Sequence, residues 1–536
     1  MRMAEDSCFR ILERELSRFS FPGARCERRP ISPAIQGHPA YSLLHFTKTP
    51  QRPQGLAAEA AYAGRANLLY SVPGANRSRN GQSVALNAHI DVVAPYFPPR
   101  VRGRTVFGRG SCDDKGPVVS IVAALKIAAE LLANAGRECN RNVTAMFVVE
   151  EETGGNGSLS LALDRQLKTA YDSMLVCECT GLRLHPANRG AVWYRAEIAA
   201  LPGVPQLELF AFINEELEKE GLALRAESRH KLFPQRPVQT CHGIVGSFGE
   251  HPSRICGEVA FMVTFSSPPS GAAGQLVRDC LSAGLETYVG LYGDKTKATD
   301  PRSGRPIVER HYDVRRRGQA MLIEVHGATG HMGAIRERDG AITKMAHLVR
   351  SVVASKERLQ SLAGPIRIEL AGEAGTSSER GGATAPLICE GGQGFVPTHS
   401  IEEVMQRLRR AAGRGAENYL RRIGRPENDT TVVKVTYEKL HNAAFDGDPN
   451  SGTMCRALAA ARLCGLKNSE PVLGWTVSCD ARLFACEYPG LPVLTFGPGQ
   501  LAWAHSDQEQ IELDEIIRAA EFLALFLLVQ TGTIQL

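Results

Sequence analysis

The sequence has no CxxC pair among its 14 cysteines, no GxGxxG or Walker-type loop after a strand, and a net charge of only +5 over 536 residues. Each absence excludes something. Without paired-cysteine spacing there is neither a thiolate metal framework nor a disulfide scaffold to argue from. Without a glycine-rich phosphate loop a nucleotide-binding α/β enzyme is remote. So small a charge makes no electrostatic case for nucleic acid, and the basic run Arg315–Arg317 reads as solvated surface. The most apolar late stretch, AAEFLALFLLVQTG, is too short for a bilayer and contains Glu521. The opening residues, MRMAEDSCFRILERELSRF, set apolar side chains at helical spacing among charges, which is an amphipathic helix and not a signal peptide. The expectation is a protein of the reducing cytoplasm with free thiols and neither membrane nor nucleic acid as partner.

What is present is an ordinary globular composition, 43 % hydrophobic and 22 % charged, in a chain long enough for about two to four domains. Up to Ile198 strand-like and helix-like segments alternate. SVALNAHIDVV, NVTAMFVVE and DSMLVCE read as strands, GPVVSIVAALKIAAELLANA and SLSLALDRQL as helices. The style returns near the end with the helical SGTMCRALAAARLCGL, the strand LPVLTFG and a closing helix, LDEIIRAAEFLALFLLVQ. Such alternation predicts an α/β sheet covered by helices. Between them, polar helices (FINEELEKEG, IEEVMQRLRRAAG) and loops such as GEAGTSSERGGATAP predict an inserted α+β domain. The expected division is 1–197 and 443–536 for one domain and 198–442 for the insert, with no internal repeat evident.

Polar residues that do chemistry in α/β sheets gather at the carboxyl ends of strands, and several such ends here carry metal-type ligands. NAHIDVV offers His89 and Asp91, and FGRGSCDDKG offers Asp113 and Asp114. VVEEETGG offers Glu150, Glu151 and Glu152, LVCECTG offers Glu178, and FGPGQLAWAHSD offers His505. Three adjacent carboxylates repel one another unless something positive lies between them. Imidazole and carboxylate without thiolate suit zinc, cobalt or manganese. Singly, each residue has a blander reading: Asp113 or Asp114 as a helix cap before Pro117, His89 as a core histidine, His505 as a loop residue, Glu150 as a flanking charge. Cys112, Cys177, Cys179 and Cys479 read as small buried apolar residues.

Taken in order, H-x-D, GRGxxDxKG, EETGG, a further Glu and a late His after FGPG resemble the M20 family of metallopeptidases. That family includes the acetylornithine deacetylase and succinyl-diaminopimelate desuccinylase group, aminoacylases and carnosinase-like dipeptidases. The resemblance covers roughly 85–190 and 470–510 and implies an α/β/α catalytic domain with an inserted α+β lid or dimerisation domain. It implies two divalent metal ions, zinc before cobalt or manganese, bridged by Asp113. His89 and Glu178 would complete one metal position, Glu152 and His505 the other, or with that pairing exchanged. Asp91 would hold His89 in one tautomer, Glu151 would be the general base, and the Asp113–Asp114 peptide would be cis. GWTVSCDARLFA resembles the segment whose D-x-R places Arg482 on a substrate carboxylate. VHGATGHMG resembles the lid segment whose histidine reaches the partner's active site, which puts forward His331 as oxyanion stabiliser and His326 as a lesser substitute.

The pattern is broken by about 120 extra residues, Ala199 to Gln319, between RGAVWYRAEI and the GATGH segment. QGFVP also stands where the family has Asn-Val-Ile-Pro. The implied function is dinuclear amide hydrolysis of a small carboxylate-bearing substrate, an N-acyl amino acid first and a dipeptide second, in a homodimer joined through the lid. The remaining alternatives are a dipeptidase or carboxypeptidase and a metal-free binding or dimerisation protein.

Overall fold

The computed structural model of the protein describes residues 2–76, 82–299, 304–332, 339–372, 385–426, 432–439, 441–466 and 470–535. Six strands form the largest sheet among the described residues, in the order Arg25–Pro30, Ala66–Val72, Val143–Val148, Val84–His89, Ser173–Cys177, Val493–Phe496. The last four run parallel to one another, so their carboxyl ends share one edge. These strands are wholly buried, which accounts for their continuous apolar runs. Helix Gly116–Ala135 packs against the closing helix, Leu513–Gln530, and the amphipathic Arg2–Leu16 lies against it as well. The segment Ser111–Ala135 is also long and apolar enough to cross a membrane by length and composition; here its helix packs one face against the closing helix.

The inserted domain begins at Gly190 and not at residue 198, because RGAVWYRAEI is itself a lid strand, Gly190–Ile198, paired along its length with Leu387–Phe395. The outer lid unit runs strand Gly190–Ile198, helix Gln206–Glu227, strand Thr240–Val245, strand Leu387–Phe395, helix Ile401–Arg422, strand Val433–Thr436. Numbered along the chain, its strands stand in the order 2-3-1-4 across an antiparallel sheet.

Inside the connection from the second to the third of these strands lies a nested unit. It runs strand Glu258–Phe265, helix Gly271–Tyr292, strands Tyr312–Arg317 and Ala320–His326, helix Ala341–Ala354, strand Ile366–Leu370. Its order is again 2-3-1-4, again antiparallel. Both are split β-α-β arrangements, so the insert contains an architectural repeat that the sequence pattern does not reveal. The extra chain is therefore not the block 199–319: strand Glu258–Phe265 pairs directly with Ala320–His326, and the GATGH segment belongs to the nested unit. Helices Gln206–Glu227 and Ala341–Ala354 pack against each other, and the two units share one apolar core.

Candidate metal centre

Every expected ligand lies at the carboxyl edge of the parallel strands. His89 ends one strand, Glu151 and Glu152 begin the short turn after another, and Glu178 follows a third. His505 lies in the loop after the fourth, at φ 59°. Asp113 stands just ahead of helix Gly116–Ala135, in a Gly-flanked loop, and the Asp113–Asp114 peptide is cis.

Asp113 is the hinge of the geometry. Its Oδ1 lies 3.1 Å from His89 Nε2 and its Oδ2 3.3 Å from His505 Nε2, so each carboxylate oxygen faces a different imidazole. His505 Nε2 is also 3.1 Å from the Glu152 carboxylate. Ligand atoms of His89, Asp113, Asp114 and Glu178 lie within 4.8 Å of one another, and so do those of Asp113, Glu152 and His505. Glu151 is in neither group, yet it lines the same pocket.

Charge balance shows what the cluster is built to hold. Burial raises the pKa of Glu178, and the charges of Asp114 and Asp113 raise it further. Burial likewise lifts Glu151 well above the ordinary carboxylate range; His89 opposes this, while Asp480, Glu152 and Asp113 add to it. Burial also works against the charge of Asp113, but hydrogen bonds from His505 and His89 outweigh it and keep Asp113 low. Asp114 Oδ1 is buried and has no hydrogen-bond partner among the described residues. A buried set of hard oxygen donors with two imidazoles, short of positive charge, fits divalent metal binding, and neither ligand-distance group among the described residues contains a thiol.

The groups that aim these ligands are carboxylates too. Asp91 accepts from the backbone N–H of Glu151 (3.3 Å) and of Glu152 (3.1 Å), so it positions both glutamates. Its hold on His89 differs from the expectation: Nδ1 lies 3.1 Å from the Asp91 backbone carbonyl and 3.6 Å from the carboxylate.

Glu509, which sequence reasoning passed over, is fully buried. It accepts from the backbone N–H groups of Gly110 (3.0 Å), Cys112 (3.1 Å) and Asp113 (3.0 Å) and takes Arg109 Nη1 at 2.7 Å. Its only signal in the sequence is an acid four residues after His505. Glu150 is more than a flanking charge. It is buried against Arg65 and accepts from Tyr62 OH at 3.0 Å, and Arg65 in turn holds Glu5 of the first helix. The opening helix is thereby tied to the metal turn.

Arg482 is not at the pocket. It sits 3 % exposed on helix Ala481–Glu487 and donates Nη2 to the Gly154 carbonyl at 3.0 Å. Helix Ala481–Glu487 packs on helix Asn156–Ala162, which follows the EETGG turn, and this packing carries Arg482 to the back of that turn. Gly155 stands at φ 79°, where a Cβ would come within 2.3 Å of Asp480, so glycine is required there. For His331 only the backbone is described, opposite Arg254 in a two-residue ladder; its side chain lies outside the described residues. His326 faces Asp313 at 3.0 Å on the lid sheet. Cys112, Cys177, Cys179 and Cys479 are all buried.

The rest of the pocket comes from the lid and the residue that leads into it: Arg189 just ahead of the first lid strand, Ala191 and Trp193 on that strand, and Ser253 and Met332 from segments flanking strands of the nested unit. Trp475 and Leu501 close the remaining side.

The model of peptidase family M20/M25/M40 matches residues 85–529. A peptidase M20 domain-containing protein of Schizosaccharomyces pombe is 32 % identical over 113 residues, 21 % of this chain and 27 % of that protein. A LysW-lysine/LysW-ornithine hydrolase of Saccharolobus islandicus is 32 % identical over 80 residues, 15 % of this chain and 21 % of that one. In both cases the matched segment spans about a quarter of the relative's length. Among solved structures, the di-peptidase Dug1p of Saccharomyces cerevisiae superposes with TM-score 0.53 at 14 % identity, covering 98 % of this chain and 90 % of that one. At that identity the likeness is one of fold.

Proposed function

Because the chain belongs to peptidase family M20/M25/M40 and is a hydrolase of amide bonds, we propose that it is a dinuclear metal-dependent deacylase. It would remove an acyl or amino-acyl group from a small substrate bearing a free carboxylate. The observation that carries this reading is the two-sided Asp113 carboxylate, one oxygen toward His89 and the other toward His505. His89 and Glu178 would hold one cation with Asp113, and Glu152 and His505 the other. Bound divalent ions, zinc before cobalt or manganese, supply Lewis acidity toward the amide carbonyl and make water a better nucleophile at neutral pH.

The chain's own residues do the rest. Glu151, set apart from both ligand groups, takes the proton from the attacking water and delivers it to the amine nitrogen that leaves. Asp91 fixes Glu151 by accepting from its N–H. Arg189, the cationic residue of the described lining, faces the substrate carboxylate in the role first expected of Arg482, and Trp193, Trp475 and Met332 pack against its apolar part. His331 is kept as the proposed oxyanion donor on the strength of the GATGH resemblance. The name of the Saccharolobus relative, which specifies lysine and ornithine conjugates, supports an amino acid as the released amine.

The test is an assay of metal-loaded protein against N-acetyl and N-succinyl amino acids beside a dipeptide panel. Faster turnover of the acyl amino acids is expected. Dipeptides as the better substrates would replace the deacylase reading with a dipeptidase one, and no hydrolysis of either class would remove the reading altogether.

A further inference from the structure

The inserted domain holds a second cavity, of about 230 Å³, at the seam between its two units. Helix Gln206–Glu227 and strand Thr240–Val245 wall it from the outer unit, and helices Gly271–Tyr292 and Ala341–Ala354 from the nested one. It shares no lining residue with the metal pocket. A cavity of that size takes several waters or one small organic molecule. We propose that it binds a small zwitterion, with the amine end inward and the carboxylate end at the mouth.

The inner end is built of acceptors and ring surface. Glu218 is buried there, 3.0 Å from His242 Nε2, and accepts from Thr343 Oγ1 (3.3 Å) and Tyr292 OH (2.6 Å). These contacts hold the carboxylate in place, and a cation entering the cavity meets its charge. Gln239 supplies a second acceptor. It is 4 % exposed, and its Nε2 donates to the Met332 carbonyl, which fixes the amide. Its Oε1 is buried and has no hydrogen-bond partner among the described residues. A buried amide oxygen left without a donor is costly, and a ligand N–H supplies one. Tyr288 and Tyr292 line the cavity as well, their ring centroids 4.8 Å apart. Their hydroxyls are engaged by Asp339 (2.7 Å) and Glu218, so what they offer a ligand is ring surface, which favours an ammonium.

The mouth has the opposite sign. The exposed residues of the lining mark it, Leu222, Arg225 and Leu291, and the half-buried Lys295 follows four residues after Leu291. Charge decides the ligand. A simple anion meets Glu218 inside, and a simple amine has to pass two cations, whereas a molecule carrying both charges suits both ends. Glu218 and Arg225 lie seven residues apart on one helix, about 10 Å along its axis. The two ligand charges are therefore separated by a short chain and not borne on one carbon, and Leu222 and Leu291 give that chain an apolar surface. Neither end uses a metal ligand, so binding here stands or falls apart from the hydrolase reading.

The probe is 6-aminohexanoate, which has both charges and no amide bond to hydrolyse, titrated calorimetrically into the metal-loaded full chain. One equivalent is expected to bind, with hexanoate and hexylamine, each lacking one charge, at least about tenfold weaker. Two variants locate the site. Arg225→Ala combined with Lys295→Ala should weaken the probe by about tenfold or more. Gly340→Leu puts a side chain into the cavity and should abolish binding. Residue 340 stands at φ −74°, and a Cβ there meets nothing nearer than 3.7 Å, so the fold accepts the substitution. Binding that ignores both variants belongs to the metal pocket, equal binding of either singly charged analogue removes the charge pairing, and no binding at all leaves the cavity to water. Each of these overturns the proposal. No turnover is measured, so the result is independent of which amide the enzyme cuts.

Discussion

The pocket has two kinds of wall. On the α/β side it is charge: Asp113, Glu151, Glu152, Glu178 and His505. On the lid side it is the apolar surface of Ala191, Trp193 and Met332, broken by Arg189 and Ser253. The charged wall is held through backbone N–H groups gripped by the carboxylates of Asp91 and Glu509. The lid wall is held by strand ladders, Gly190–Ile198 with Leu387–Phe395 in the outer unit and Arg254–Ile255 with Gly330–His331 beside the nested one. The difference assigns labour. The ligand positions are fixed by charge-assisted bonds from backbone N–H groups, whereas a wall built on separate strands accepts a whole unit inserted between them.

Breaking the charged wall has the largest expected effect. Glu151→Gln should lower kcat by roughly 10²–10⁴ while leaving metal content unchanged; near-normal turnover would reassign the proton carrier. Next comes Glu509→Gln, which loosens the Asp113 loop without touching a ligand. Metal affinity, measured by competition with a chelator, should fall by roughly 10- to 100-fold, and an unchanged affinity would mean that the loop holds itself. On the lid wall, Arg189→Met should raise KM for carboxylate substrates by about tenfold or more, a loss of about 1.4 kcal/mol per tenfold, with kcat within a few-fold. Substrates whose carboxylate is capped as an amide should not notice the change, and if they do, Arg189 does not meet that group.

The smallest effect belongs to the outer rim of the lid, where Arg407 grips Glu220 and Glu227 at 2.5–2.8 Å. Hydrogen bonds from Arg407 and His399 hold Glu227 down to about 2. A depressed carboxylate stabilises the fold above its ordinary titration range and loses that contribution as pH falls through about 2. Because Glu227 is half-exposed and Glu220 keeps Arg414 as a second partner, Arg407→Ala should cost less than about 1 kcal/mol at neutral pH. In urea titrations the gap between variant and wild type should close as the solution is acidified; a gap that persists would mean the arginine acts by packing.

The charged wall was legible in the sequence because its ligands fall at strand ends within short motifs, where spacing alone brings them to one edge of a parallel sheet. His89, Asp113, Glu152, Glu178 and His505 stand together in the structure as those motifs implied. Arg482 was misplaced because D-x-R spacing does not say which way a short helix turns its side chains. Glu509 escaped because its role lies in accepting backbone N–H bonds, and those leave no pattern in side-chain types. The lid's repeated architecture was hidden for a related reason. Its two units share strand order but not residue chemistry, and the second interrupts the first between strands that must pair.

That interruption sets an order of events during synthesis. Strand Gly190–Ile198 leaves the ribosome long before Leu387–Phe395, its partner along its full length, has been made. The nested unit, whose paired strands lie between Glu258 and Leu370, has all of its strands in hand before that partner is made. Strand Val493–Phe496 and His505 come last. A growing chain therefore holds the strands for the roof of its pocket before it owns the second histidine of the cluster.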